Sequence, residues 1–245
     1  MVDVGIGCGD QTLYLTQLPR PDATEPRQPL IKSYVGITIA PPQAEFAQER
    51  VRKAAGGGAA ASTPDVQIYA ADAANPAGWE PELAQAVGAE DSKAAKAAEG
   101  QMWLLALDTL YHFKPSRKPL LRHACRDMQA SFMAFDLLLA DHPSFFDKLV
   151  LRLMSLLTGI PFSNFLARRQ YEDMLVEAGY ERHLITMQDI SEHVFSGIAG
   201  YIYKKDALLK TYGMGMGKFR GPAKVFNWWA RTGLVRGYIV VARSS

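Results

Sequence analysis

Cysteine is scarce: Cys8 and Cys125 are the only two in 245 residues. They fall in separate predicted elements with no metal-ligand spacing around either. That excludes a disulfide scaffold, leaves no metal site to expect, and fits a reducing, cytoplasmic compartment. An excess of one charge sign is also lacking, with 27 basic against 25 acidic residues. Nucleic-acid binding needs a basic surface that this balance does not supply, so nucleic acid is set aside as a partner. No apolar run is long and uncharged enough to cross a bilayer. No basic segment followed by an apolar run opens the chain as a secretory signal would, and no internal repeat is visible. The length suits one sizeable α/β domain over 1–245 and is short for two independent cores.

The first ten residues, Met1 to Asp10, organise the rest. Val2 and Val4 flank Asp3, and glycine then recurs at Gly5, Gly7 and Gly9, which reads as a strand ending in a turn. Glycine reaches positive φ without a Cβ clash and lets a ligand approach the backbone closely. Asp10 to Leu18 follows with helical composition, Leu13, Tyr14 and Leu18 falling on roughly one face. Strand, glycine turn and helix together put unpaired N–H groups at the mouth of a parallel sheet. The spacing discriminates among cofactors. A nicotinamide or flavin site reads G-x-G-x-x-G, with an acid about twenty residues on at the end of the second strand. Here the spacing is Asp-x-Gly-x-Gly-x-Gly, and the second strand, Ser33 to Ile39, carries Thr38 near its end and no acid.

In that motif the chain resembles the class I S-adenosylmethionine-dependent methyltransferases. The resemblance implies a Rossmann-like, three-layer α/β/α fold with a mainly parallel seven-stranded sheet and an antiparallel last strand. It implies S-adenosyl-L-methionine as cofactor, with Asp3, Gly5, Gly7 and Gly9 at its site. Such enzymes usually carry a few helices before the first strand, so N-terminal helices are expected to be missing here.

Further along, Pro19 to Ser33 is a proline-rich polar loop, and Pro41 and Pro42 open a helix over Gln43 to Ala55. The stretch YVGITIAPPQAEF resembles the cyclopropane-synthase, tocopherol and sterol methyltransferase group, whose pattern places Thr38 and Gln43 beside the cofactor ribose. By themselves, Thr38 also reads as a strand residue and Gln43 as a solvated helix residue. Val66 to Ala70 makes a third strand ending at Ala71-Asp72-Ala73. An acid there faces the crevice where ligands of open α/β sheets bind. The resemblance assigns Asp72, with Ala73 beside it, to the adenine; a helix N-cap is the other reading of Asp72. Gly56 to Thr63 and Gly88 to Gly100 read as surface inserts.

Met102 to Leu107 is a nearly unbroken apolar run, as in a strand buried on both faces. It leads into LDTLYHF and then SRKPLLRHACRDM, which resemble the fourth-strand region of the same group. Methyl transfer requires a nucleophile held near the sulfonium carbon and, for many acceptors, removal of a proton. A histidine titrates near neutrality, so His112 is the candidate base, with Tyr111 as its orienter or a second hydrogen-bond partner and Asp108 near the methionine end of the cofactor. The alternative for His112 is a structural histidine packed between Tyr111 and Phe113.

The fifth strand is expected over Met128 to Asp136, followed by an apolar lid insert over 137–169. Within it Phe145, Phe146, Leu149, Val150, Leu153, Met154 and Leu157 recur at helical spacing, with Lys148 and Arg152 off that face. Three readings stay open: capping a hydrophobic substrate, lying on a membrane surface, or covering the sheet. Arg168 to Gly179 is an amphipathic helix ended by glycine, Arg182 to Ile190 a sixth strand, and Ser191 to Thr211 mostly helix. After a loop over Thr211 to Gly217, Phe226, Trp228 and Trp229 add apolar area. Arg236 to Ala242 is the last strand, expected to form an antiparallel hairpin edge. The function implied is methyl transfer to a small, hydrophobic, secondary-metabolite-like acceptor. The alternative is a methyltransferase fold serving as a binding partner or catalysing a different reaction.

Overall fold

The computed structural model describes residues 1–21, 28–55, 64–88 and 101–244. The expected insert over 56–63 and all but Gly88 of the one over 88–100 lie outside the described residues, as does part of the loop after Pro19. Seven strands form one sheet: β1 (Val2–Val4), β2 (Ser33–Thr38), β3 (Asp65–Ala70), β4 (Trp103–Leu107), β5 (Ser131–Leu139), β6 (Ile185–Asp189) and β7 (Val235–Ala242). Their order is β3-β2-β1-β4-β5-β7-β6. The first five pair in parallel, and β7 runs antiparallel to both its neighbours, β5 and β6. The antiparallel hairpin is therefore at the edge, but its outermost strand is β6; the last strand of the chain is interior.

Eight α-helices are described: α1 (Asp10–Thr16), α2 (Pro41–Ala55), α3 (Pro81–Val87), α4 (Lys118–Arg126), α5 (Phe145–Thr158), α6 (Arg168–Ala178), α7 (Ser191–Lys210) and α8 (Arg220–Thr232). Alternate strand residues face opposite ways, and the core divides accordingly. Val35 and Ile37 of β2 join Val4, Leu104, Ala106 and Phe132 on the face covered by Leu83 of α3, Leu120 and Leu121 of α4, and Tyr171 and Leu175 of α6. Tyr34 of β2 and Ile68 of β3 face the other way, against Ala44 and Ala47 of α2. Further along the sheet Leu137 meets Leu151 of α5, Phe195 of α7 and Trp229 of α8. The result is the expected three layers.

Three local expectations are corrected. Strand β5 continues to Leu139, because Leu137, Leu138 and Leu139 pair with Gly237, Arg236 and Val235 of β7; the insert thus starts three residues later than 137. Helix α1 stops at Thr16, Tyr14 is 67% exposed, and the residue it buries is Thr12. A polar side chain suits that position because Thr12 Oγ1 and the Tyr34 hydroxyl are hydrogen-bonded at 2.9 Å. The aromatic stretch before the last strand is itself a helix, α8, seated by Trp229.

Candidate active site

The C-terminal ends of β3, β2, β1 and β4 lie side by side: Thr38 pairs with Ala70, and Val4 with both Ile37 and Ala106. At about 4.8 Å per strand, the three steps span about 14 Å. Along that edge the order is Asp72, Thr38, the glycine turn and Asp108. The turn sits where the strand order reverses, the point at which open α/β sheets bind ligands.

The three glycines of the turn serve different needs. All have positive φ: +79° at Gly5, +54° at Gly7 and +80° at Gly9. A Cβ on Gly5 would lie 2.2 Å from Thr109 Oγ1, and one on Gly9 2.9 Å from Ala47 Cβ, whereas one on Gly7 would meet nothing within 4 Å. Gly5 and Gly9 thus let the turn pack between the loop after β4 and helix α2. Gly7 leaves bare backbone facing open space.

Asp3 holds the turn from beneath. Its carboxylate is fully buried, accepting from Gln11 Nε2 at 2.8 and 2.7 Å and from the Tyr34 hydroxyl at 2.5 Å. It ties β1 to α1 and β2 and supports the site from below. Burial raises its carboxyl to about 6 from an ordinary 3.8, the hydrogen bonds from Tyr34 and Gln11 pulling the other way. A value raised by folding favours the protonated form. The stabilisation is complete below about pH 3.8 and disappears as pH rises through about 6. The difference corresponds to about 3 kcal/mol. Urea denaturation from pH 4 to 7 should show the wild type losing about that much relative to Asp3→Asn as pH rises; a constant gap contradicts it.

Thr38 and Gln43 come together, the Thr38 hydroxyl donating to Gln43 Oε1 at 2.8 Å. Thr38 is buried, while the adjoining Ile39, missed by the sequence reading, is 72% exposed on the same lip. Asp72 is exposed and Ala73 buried. Asp72 Oδ1 accepts from the Ala74 N–H at 2.9 Å and its carbonyl accepts from Trp79 Nε1 at 3.0 Å. That is a turn closed by the side chain two residues back, not a helix cap: the 3-10 helix over Pro76–Gly78 starts after Asn75.

On the other side of the turn, Asp108 has φ +58°, an uncommon conformation for a residue with a Cβ. Its N–H donates to the Phe135 carbonyl at 3.0 Å, and its Oδ1 accepts from the Tyr111 hydroxyl at 2.9 Å. Partial burial raises its carboxyl, opposed by the Tyr111 hydrogen bond and by His112. The exposed His112 ring lies 4.3 Å from the Tyr111 ring, centroid to centroid. Burial on that side lowers its imidazole, Asp108 acting against this and Lys114 with it. His112 is therefore neutral at pH 7, the form that accepts a proton. The three predicted residues form one cluster.

A buried post beneath that cluster escaped the sequence reading. Asn164 Nδ2, from a 3-10 turn over Phe162–Asn164, donates to the carbonyls of Tyr111 at 3.0 Å and Phe113 at 2.8 Å, one on each side of His112. The Asn164 carbonyl in turn accepts from Arg117 Nη2 at 2.6 Å. Arg117 forms a wholly buried ion pair with Asp136, which also accepts from the Tyr171 hydroxyl at 2.9 Å. The signal available was a charged residue, Asp136, in an otherwise apolar strand; its partners lie 19 and 35 positions away.

No family profile and no curated protein matches the sequence. Solved structures do. Over its whole length the chain superposes on phosphoethanolamine N-methyltransferase 2 of Haemonchus contortus, bound to phosphomonomethylethanolamine and S-adenosylhomocysteine, with a TM-score of 0.67 and 11% identity. It spans 48% of that protein, about half its length. It likewise matches geranyl diphosphate C-methyltransferase of Streptomyces coelicolor, bound to S-adenosyl-L-homocysteine, with a TM-score of 0.60, 13% identity and 72% of that chain. The fold is that of class I methyltransferases. The same comparison finds the cyclase SpnF, with a TM-score of 0.58 and 16% identity, covering 99% of this chain and 74% of that one. Within the methyltransferase fold, the Gly7 opening, the exposed Asp72 carboxylate and the apolar Ile39 lip fit an elongated ligand with an apolar base and polar ends. Among the described residues no cluster of three or more potential metal ligands occurs.

Proposed function

We propose that residues 1–245 form one methyltransferase domain that transfers a methyl group from S-adenosyl-L-methionine to a small hydrophobic acceptor. The observation that carries this reading is Gly7, a backbone opening flanked by Thr38 and Asp72 on one side and by Asp108, Tyr111 and His112 on the other. When bound, the cofactor supplies an electrophilic methyl carbon. Gly7 offers it close backbone approach, with Gly5 and Gly9 packing the turn in place and Asp3 bracing it. Thr38, paired with Gln43, borders the ribose, Asp72 accepts from the adenine amino group with Ala73 beneath, and Asp108 faces the methionine end. Neutral His112 takes the acceptor's proton, steadied by the Tyr111 ring.

The acceptor site is assigned to a shallow groove of about 540 Å³ between β5 and α7, lined by Phe135, Ile190, Val194, Ile198 and Tyr201, with His193 and Gly197. This is within the size range of small-molecule sites. Phe135, whose side chain lines the groove, has its backbone carbonyl hydrogen-bonded to the Asp108 N–H at 3.0 Å. The apolar lining supports a hydrophobic acceptor, and a cytoplasmic setting supplies the cofactor.

The test is transfer of labelled methyl from S-adenosyl-L-methionine into organic-extractable acceptors. Wild type should label an apolar acceptor. His112→Ala should lose about 10²-fold or more of the rate while still binding S-adenosylhomocysteine. The wild-type rate should fall as pH drops through the lowered His112 value, below 6.5. Unchanged transfer in His112→Ala removes the base assignment. A second reading, the same fold put to another reaction or to binding alone, is supported by the likeness to the cyclase; cofactor binding without label transfer to any acceptor favours it.

A further inference from the structure

Helix α5 is turned inside out. Phe145 is 84% exposed, Phe146 69%, Leu149 53%, Leu153 58% and Leu156 82%. At about 100° per residue these five fall within one arc of roughly 100°. The opposite side faces the protein with Leu151 and Ser155, both buried. The outer face is thus more apolar than the inner one, the reverse of a helix that covers a sheet. Of the predicted stripe, Val150 and Met154 are half-buried, and the Leu157 side chain lies outside the described residues. The exposed arc runs from Phe145 to Leu156, about 16 Å at 1.5 Å per residue, longer than a small acceptor would cover.

We propose that this face docks α5 on an anionic membrane surface. Lys148 and Arg152, both exposed, border the arc along its Phe145 edge, where lipid headgroups meet the acyl region. The one acid of the helix, Asp147, lies on the opposite side and is held by Ser144 in a capping box. The helix has 14 residues and no described helix is long and apolar enough to cross a membrane, so docking is in the plane of the surface. A second copy fits the strip poorly. About 16 Å by 10 Å of helix face is on the order of 160 Å², against about 800 Å² per partner in a stable interface.

The test is co-sedimentation of the full chain with phosphatidylcholine vesicles, with and without phosphatidylglycerol, beside lipid-free sedimentation velocity. Wild type should bind the anionic vesicles more tightly. Phe145→Ser combined with Phe146→Ser should weaken binding to both compositions by about tenfold or more. Lys148→Glu combined with Arg152→Glu should remove only the phosphatidylglycerol-dependent part. Both side chains are exposed, Arg152 with its guanidinium 5.0 Å over the Phe162 ring, so Lys148→Glu alone stands as the test even if the other variants fail to fold. Absence of binding by folded wild type, binding unchanged in a folded variant, or a lipid-free dimer dissolved by the phenylalanine changes without vesicle binding overturns the proposal.

Discussion

A single methyl group added at Gly5 is expected to cost the folded chain about 3 kcal/mol or more, whereas the same change two residues on, at Gly7, should cost about 1–2 kcal/mol. The backbone term is common to both, since each sits at positive φ, where a Cβ costs roughly 1–2 kcal/mol. What differs is the surroundings. At Gly5 the new carbon lies 2.2 Å from Thr109 Oγ1 and 2.5 Å from Thr109 Cβ. Those atoms start the loop that carries Asp108 and Tyr111, so overpacking adds about 1–3 kcal/mol. At Gly7 nothing is within 4 Å. The functional effects should run the other way: Gly7→Ala keeps its fold and weakens binding of S-adenosylhomocysteine. Urea denaturation and calorimetry of the two variants decide the matter, and equal losses of stability contradict the division of labour among the glycines.

Arg117→Met is expected to destabilise by about 3–5 kcal/mol, the usual result of leaving a buried charge without its partner. Asp136 is wholly buried, and without Arg117 it keeps only the hydrogen bonds from Tyr171 and from its neighbour's N–H at 2.8 Å. Arg117→Met combined with Asp136→Leu should recover most of the loss, because removing both charges also removes their desolvation cost. The cycle read by urea denaturation should therefore be strongly non-additive. Additive losses would mean that the pair is not coupled. Since Arg117 also holds the Asn164 carbonyl, the single variant should broaden the NMR signals of His112 as the turn around it loosens.

The strands and helices were legible in the sequence because their signals are local: β-branched alternation at Val2 and Val4, the apolar run before Asp108, and the glycine after Ala178 that ends α6. The strand edge proposed for the cofactor was legible for a related reason. Parallel strands deliver their C-terminal ends to one edge, so Gly5, Gly7, Gly9, Thr38, Asp72 and Asp108 are brought there by topology alone. Side-chain direction was not legible. Asp3 sits in the motif yet points beneath the turn, because its partners Gln11 and Tyr34 come from the next two elements. Asn164, Arg117 and Tyr171 meet Asp136 and the His112 turn only through contacts across 19 to 53 residues, which no periodicity encodes. The apolar stripe of α5 was visible, but a helical pattern gives the angle between residues and not which side faces the protein.

The most direct measurement is calorimetric titration of the purified chain with S-adenosylhomocysteine, repeated on Asp72→Ala, with circular dichroism confirming that both are folded. Wild type is expected to bind with micromolar affinity and the variant at least tenfold more weakly. No binding by a folded wild type, or equal binding by both, would contradict the cofactor site assigned to this strand edge.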